Sequence, residues 1–325
     1  MFQEVASSAG ITNVGQSWGS SWGDFNGDGW PDIWASNHAR MPSLYLNMKD
    51  GTLLDAAADA LSREIWNHIK TAYGGYDSHG AAWADFDNDG DQDLIQLADG
   101  GNRQQPNHLY VNSGDAHFEA QEQAVALGLN LPNANSRTPL WLDWNKDGLL
   151  DLLTTSYFRE GGSTSPATLF QQVDGRFLNV NNIAWPGITT RTNFSLLSDL
   201  TGNEQLDIAV TAPGDSLYTF STTNSVFTDE TLALGLQGIG SAVDAVSADL
   251  AGGAASDIFI LGGPTGNGVV QADTLTIEAS LTANRDEKGF SFQTTGTISI
   301  ELYHPWLVLT SRVYIGAAGV HPVAH

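Results

Sequence analysis

The sequence predicts an all-β repeat fold of the propeller type, on three observations. A nine-residue loop with Asp at both ends recurs five times, beginning at Asp24, Asp85, Asp143, Asp199 and Asp249. Each copy runs at once into a short apolar segment rich in β-formers and too short for a helix. Successive starts lie 61, 58, 56 and 50 residues apart, the spacing of a blade of antiparallel strands rather than of a helical repeat.

The first three loops read Asp24-Phe-Asn-Gly-Asp-Gly-Trp-Pro-Asp32, Asp85-Phe-Asp-Asn-Asp-Gly-Asp-Gln-Asp93 and Asp143-Trp-Asn-Lys-Asp-Gly-Leu-Leu-Asp151. The fourth, Asp199 to Asp207, lacks the Gly and the central Asp, and the fifth, Asp249 to Asp257, has Ala251 and Gly253 where the others carry polar groups. The segments after the loops, Ile33-Trp34-Ala35, Leu94-Ile95-Gln96-Leu97, Leu152-Leu153-Thr154, Ile208-Ala209-Val210 and Ile258-Phe259-Ile260-Leu261, predict strands. A next strand is expected at Leu44-Tyr45-Leu46, Leu109-Tyr110-Val111, Leu169-Phe170-Gln171 and Leu217-Tyr218-Thr219, then a turn such as Lys49-Asp50-Gly51. A further strand is expected to open at Phe118, Phe177 or Phe227.

Phe2 stands 22 residues before Asp24, as Phe177 does before Asp199, so Phe2 to Val5 reads as the outer strand of a blade closing a ring. Ser62 to Tyr76, with Ile65, Trp66 and Ile69 at helical spacing, reads as a short helix in a long connection. The repeat region is placed at residues 1–265 and a β-rich C-terminal segment at 266–325. Five repeats are visible where a closed ring has six or seven, so the chain is expected to be truncated.

Composition narrows the function. Thirteen Lys and Arg against 37 Asp and Glu leave a formal charge of −24, which repels phosphate backbones and anionic lipid and argues against nucleic acid. No apolar run reaches the roughly 18 residues of a membrane helix, so no membrane insertion is expected. The absence of Cys removes disulfides, thiolate metal sites and a Cys nucleophile.

The carboxylates fall where a hard cation takes them. Calcium binds six to eight oxygens, and a tight loop supplies them by mixing side chains with a backbone carbonyl. The first loop offers Asp24, Asn26, Asp28 and Asp32 with the Trp30 carbonyl. The second offers Asp85, Asp87, Asp89 and Asp93 with the Asp91 carbonyl, and the third offers Asp143, Asn145, Asp147 and Asp151 with the Leu149 carbonyl. The fourth keeps Asp199, Thr201, Asn203 and Asp207. This predicts three calcium ions, and a fourth if the Asp199 loop also binds. The competing reading is a solvated Asx turn, since Asp, Asn and Gly are ordinary turn residues. An EF-hand is excluded because position twelve carries Ala35, Gln96 and Thr154 rather than Glu.

The pattern Asp-x-Asn/Asp-x-Asp-Gly-x-x-Asp between strands, preceded by Gly19 and Trp22 or by Gly80 and Trp83, resembles the FG-GAP or VCBS repeats of integrin-α-like and bacterial surface propellers. The resemblance covers about residues 2–265. It implies ions that rigidify blades, with recognition left to other loops on the propeller face.

Candidate catalytic parts are scarce. No His-x-x-x-His pair and no Gly-x-Ser-x-Gly elbow occurs, and no catalytic residue is assigned. His79 and His108 read as packing or surface residues. Trp18, Trp22, Trp30, Trp34, Trp83, Trp141 and Trp144 recur near the loops, which favours packing over a sugar platform. Arg103, Arg137 and Arg191 lie on connections. The reading is a calcium-stabilised extracellular or cell-surface adhesion module that recognises a protein or glycan through residues 36–43, 62–80, 99–107 and 157–166. A polysaccharide-active enzyme and a lectin are the alternatives on the same scaffold. A secretion signal is expected outside this sequence.

Overall fold

The computed structural model describes residues 4–12, 17–37, 40–61, 77–98, 105–114, 116–118, 124–129, 131, 134–156, 167–181, 192, 194–211, 217–223, 226–234, 236, 242–248, 255–262, 274–278, 284–286, 289–291, 297–301 and 310–314. The chain divides into two compact units, Met1–Thr190 and Arg191–His325.

The first unit holds three antiparallel sheets. Sheet one runs β1 (Ser17–Gly23), β2 (Asp32–Asn37), β3 (Ser43–Asn47), β4 (Leu53–Asp55) in sequence order. A short helix α1 (Ala57–Ala60) follows. Sheet two runs β5 (Ser78–Ala84), β6 (Asp93–Ala98), β7 (His108–Tyr110). After a second short helix, α2 (Ala124–Leu127), sheet three runs β8 (Ser136–Leu142), β9 (Asp151–Ser156), β10 (Thr168–Val173), β11 (Arg176–Asn179).

The second unit holds sheet four, β12 (Phe194–Ser198), β13 (Asp207–Thr211), β14 (Leu217–Thr223), β15 (Val226–Asp229), again in order. Sheet five joins β16 (Ala242–Ala248) and β17 (Asp257–Gly262) to β22 (Thr310–Tyr314), a pairing that runs across the expected boundary at 265/266. Two small ladders pair β18 (Thr274–Glu278) with β21 (Thr297–Glu301) and β19 (Asn284–Asp286) with β20 (Gly289–Ser291).

The repeat read from the sequence is a repeat of register. Trp22 faces Ile33, Trp83 faces Leu94, Trp141 faces Leu152, Leu197 faces Ile208 and Ser247 faces Ile258. Four of the five first strands also shift register near their start, at Ser17/Gly19, Ser78/Ala81, Ser136/Pro139 and Ala242/Asp244. A bulge adds twist locally, and its recurrence turns each sheet in the same sense.

First strands pack side by side within a unit: β1 beside β5, β5 beside β8, and β12 beside β16. Glycine makes this possible. A Cβ at Gly19 would lie 2.8 Å from the His79 carbonyl oxygen. One at Gly80 would collide with the Arg137 carbonyl oxygen and come within 2.9 Å of Pro139 Cδ, and one at Gly23 would enter the Trp83 ring. The clash at Gly80 is with backbone that cannot swing aside, so Gly80→Ala is expected to destabilise the fold by about 2 kcal/mol, as overpacking of a close contact does. Urea unfolding reads this; a midpoint unchanged from wild type would show that β5 and β8 are not in close contact.

The cores lie between neighbouring sheets. Phe25, Trp34, Leu44 and Leu61 of sheet one and its flank meet Leu94, Tyr110 and Phe118. Phe86, Ile95, Leu97 and Leu109 meet Leu152, Phe170 and Phe177. In the second unit Leu196, Leu200, Ala209, Leu236 and Ile258 cluster.

Two expectations change in detail, at Tyr218 and at the N-terminal segment. Phe177 and Phe227 lie in β11 and β15, and Phe118 pairs with Asn112 in an antiparallel bridge, the residues 119–123 that follow it lying outside the described residues. Its N–H donates to the Ala60 carbonyl at the end of α1, as the Leu53 N–H of β4 donates to the Ala9 carbonyl. In sheet four Phe220, not Tyr218, takes the place of Tyr45, because Ile208 faces Phe220 as Ile33 faces Tyr45. Of the segment expected as an outer strand, Phe2 to Val5, the described Glu4 and Val5 lie in no strand; the chain beyond them turns over residues 6–10, where the Ala9 carbonyl accepts the Leu53 N–H at 2.7 Å. Phe2 and Gln3, and the helix expected between Ser62 and Tyr76, lie outside the described residues.

Candidate metal centre

Each Asp loop joins the first strand of a sheet to the second, and its carboxylates fold it. Asp24 Oδ1 accepts the Asp28 N–H at 3.0 Å and its Oδ2 the Gly29 N–H at 2.8 Å. Asp85 does the same with Asp89 and Gly90 at 3.0 and 3.1 Å, and Asp143 with Asp147 and Gly148 at 3.1 and 2.9 Å. Asp28, Asp89 and Asp147 then accept the N–H of Trp30, Asp91 and Leu149 at 2.9, 3.2 and 2.9 Å, which sets the seventh residue of each loop. Asn26 and Asn145 accept the Asp28 and Asp147 N–H at 3.2 and 3.1 Å.

The fourth and sixth residues of the first four loops are left-handed: Gly27 and Gly29, Asn88 and Gly90, Lys146 and Gly148, Gly202 and Glu204. Glu204 adopts φ 62° where the others have Gly, a conformation that disfavours a side chain by about 1 kcal/mol. The Asp199 loop keeps its shape because Asp199 Oδ1 takes the Gly202 and Asn203 N–H at 2.7 and 3.1 Å and Oδ2 takes the Glu204 N–H at 2.8 Å. Backbone donors alone therefore hold the loop conformation, and turn geometry does not discriminate between a solvated turn and a metal site.

The last Asp has a different place from the others. Asp32, Asp93 and Asp151 are fully buried. Their Oδ2 atoms accept the N–H of Phe25, Phe86 and Trp144 at 3.0, 3.3 and 3.2 Å, closing the loop base. Their Oδ1 atoms accept the N–H of Asn47, Asn112 and Gln172 at 2.7, 2.9 and 2.7 Å, from the end of the third strand. Burial pushes the carboxyls of Asp93 and Asp151 up to about 7, against these hydrogen bonds. Asp32 and Asp207 are raised for the same first reason. Asp207 Oδ2 takes the Leu200 and Thr201 N–H, both at 2.8 Å.

Sequence reasoning missed the amides that serve these buried acids. Asn112 Nδ2 donates to the Phe25 carbonyl at 2.9 Å and the Gln92 carbonyl at 3.2 Å, and Gln172 Nε2 donates to Phe86 at 3.0 Å and Leu150 at 2.9 Å. Each amide thus ties its own loop to the loop of the preceding sheet. Asp24 N–H also donates to Gln92 Oε1 at 2.7 Å, so the first two loops are neighbours. The clue was present in Asn47, Asn112 and Gln172, each two residues after an aromatic of the third strand.

The donor set fits a hard cation best at the second loop. One oxygen each of Asp85, Asp87 and Asp89 lies within 4.8 Å of the others. Asp91 Oδ1 is buried there without a hydrogen-bond donor. Desolvation first and repulsion from neighbouring carboxylates next push Asp87 and Asp91 upward. An all-oxygen cluster that raises its own proton affinity is the ligand chemistry of calcium.

About 20 Å away along β5, by strand rise, His79 and Asp77 form a polar pair, Nε2 to Oδ1 3.2 Å, and Gln105 Nε2 lies 3.1 Å from His108 Nε2. Both histidines are buried, and Arg137 donates to the Ser136 carbonyl at 3.1 Å. Arg103 and Arg191 lie outside the described residues, as does most of the Asp249 loop. The packing role expected of the tryptophans holds for Trp34 and Trp144, whereas Trp18, Trp22 and Trp30 are 59%, 63% and 47% exposed.

The sheets and loops define a repeat protein in which an Asp-rich turn joins the first strand to the second in each of sheets one to four. Residues 24–96 and 85–154 match the FG-GAP-like repeat model, and this stretch consists of two such repeats. Among solved structures, BBS1N in complex with ARL6DN is similar at 11% identity and a TM-score of 0.41, over 88% of this chain and 75% of that one. The V. cholerae biofilm matrix protein Bap1 is similar at 14% identity and a TM-score of 0.34, over 86% of this chain and 52% of that one. A search of curated proteins finds no match. Among the described residues no helix is long and apolar enough to cross a membrane.

Proposed function

We propose that this chain is a calcium-stabilised extracellular binding or adhesion module on a propeller scaffold, recognising a protein or glycan through connections away from the metal loops. The observation that carries the reading is the convergence of Asp85, Asp87 and Asp89 within a loop whose fold is repeated in two neighbours. Calcium at these loops neutralises crowded carboxylates and stiffens the joint between sheets through the amides of Asn112 and Gln172. The role is structural, and no catalytic residue is assigned. Trp18 and Trp22, exposed on one face of β1, are where a partner screen begins, because aromatic faces suit both protein and sugar surfaces.

Thermal unfolding in EDTA and in millimolar calcium, beside an elemental count of bound metal, tests the reading. A ligand bound only by the folded state stabilises by mass action, about 2.7 kcal/mol per site at a hundredfold excess over Kd. The expected result is a rise of roughly 5 °C or more with about three ions per chain, as the loop ligand sets require. Asp89→Ala is expected to remove about a third of that gain, one site's share. No shift and no bound metal would reduce the loops to solvated turns.

A further inference from the structure

We infer that Lys49 is a built-in counter-ion of the first loop that competes with the metal there, so that the loops fill unequally and the Asp85 loop fills first. This rests on the calcium reading above and concerns what tunes it.

The turn after the third strand lies against the Asp loop, and it is built alike in sheets one and two. Asn47 Oδ1 accepts the Lys49 N–H at 3.0 Å, and Asn112 Oδ1 accepts the Gly114 N–H at 3.1 Å. The backbone N–H of the same Asn in each case holds the buried Asp of its loop. The amide therefore fixes the residue two places on against the loop, and at that place the two sheets bring different residues. Lys49 brings an ammonium, 3.2 Å from Asp28 Oδ2. Gly114 brings nothing, although a Cβ there would lie 3.0 Å from Asp91 Oδ2. Asp174 stands at the corresponding place in sheet three, two after Gln172, and carries negative charge.

At the first loop both oxygens of Asp28 are engaged, Oδ1 by the Trp30 N–H at 2.9 Å and Oδ2 by Lys49. A cation entering this loop must displace an ammonium already seated on its fifth residue. A cation entering the second loop meets Asp85, Asp87, Asp89, Asp91 and Asp93, with only Gly114 at the tuning position.

Calorimetric titration of the full chain with calcium at low ionic strength, for wild type, Lys49→Met, Lys49→Arg, Asp24→Ala and Asp89→Ala, tests this. The tightest phase should vanish in Asp89→Ala and a weaker one in Asp24→Ala. Lys49→Met should tighten that weaker phase by about three- to fivefold, the range set by a partly exposed ion pair, and the gain should shrink as salt is added. Lys49→Arg should stay near wild type. Calcium binding with the Asp24 phase unmoved by Lys49→Met, or with the Asp24 phase tightest in wild type, would overturn the inference and leave the calcium reading standing. No calcium binding at any loop would overturn both.

Discussion

Asp93→Ala is expected to destabilise the protein by roughly 3 kcal/mol whether or not calcium is present, because two buried N–H groups, of Phe86 and Asn112, lose their acceptor and each costs about 1 to 3 kcal/mol unpaired. Asn112 also holds the Phe25 and Gln92 carbonyls, so the damage reaches the joint between sheets one and two. Asp89→Ala, which removes a more exposed carboxylate bonded to the Asp91 N–H, should change stability by less than about 1 kcal/mol in EDTA and act mainly when calcium is present. Chemical unfolding of the two variants in EDTA and in calcium separates a structural acid from a ligand. A loss below about 1 kcal/mol for Asp93→Ala in EDTA would remove the buried-acceptor role.

Metal-free stability should fall as pH rises from about 4 to about 7, then level off. The folded-state carboxyls of Asp93 and Asp151 are raised to about 7, above the roughly 3.9 of an unfolded Asp. Between those values the folded chain binds more protons than the unfolded one, so unfolding becomes easier with each step in pH. The stabilisation is whole below the unfolded value and is lost as pH passes up to the folded value. Discounted by about half because the outer carboxylates of each loop face water, the two groups together give roughly 2 kcal/mol between pH 5 and 7.5. Urea midpoints across this range in EDTA measure it, and the calcium gain should be larger at pH 7.5 than at pH 5, since calcium binds the ionised loops. A metal-free midpoint that rises steadily over this range would contradict the burial of these acids as the source of their shift.

How far the fold could be read ahead differs by element. The continuous apolar runs at Ile33-Trp34-Ala35 and its counterparts located the second strands, because a strand packed on both faces is apolar at successive positions. The Asp loops were legible because they are local: Asp24 reaches Asp28 and Gly29 within five residues. The tie of the Phe118 N–H to the Ala60 carbonyl was not legible, because that partner lies 58 residues away at the end of α1. Gly80 looked like one glycine among 35, and only the approach of Arg137 makes its missing side chain necessary.

By itself the sequence determined the all-β class, the loop spacing and the oxygen-rich ligand set, because each depends on contacts between residues close in the chain. Only the tertiary structure decided that the ninth Asp is a buried hydrogen-bond hub while the first, third and fifth converge at the second loop, and that Asn112, Gln172 and Lys49 act on loops distant in sequence. Those roles depend on which backbone and which charge a side chain meets across 20 residues or more, and register between sheets, not local pattern, sets that meeting.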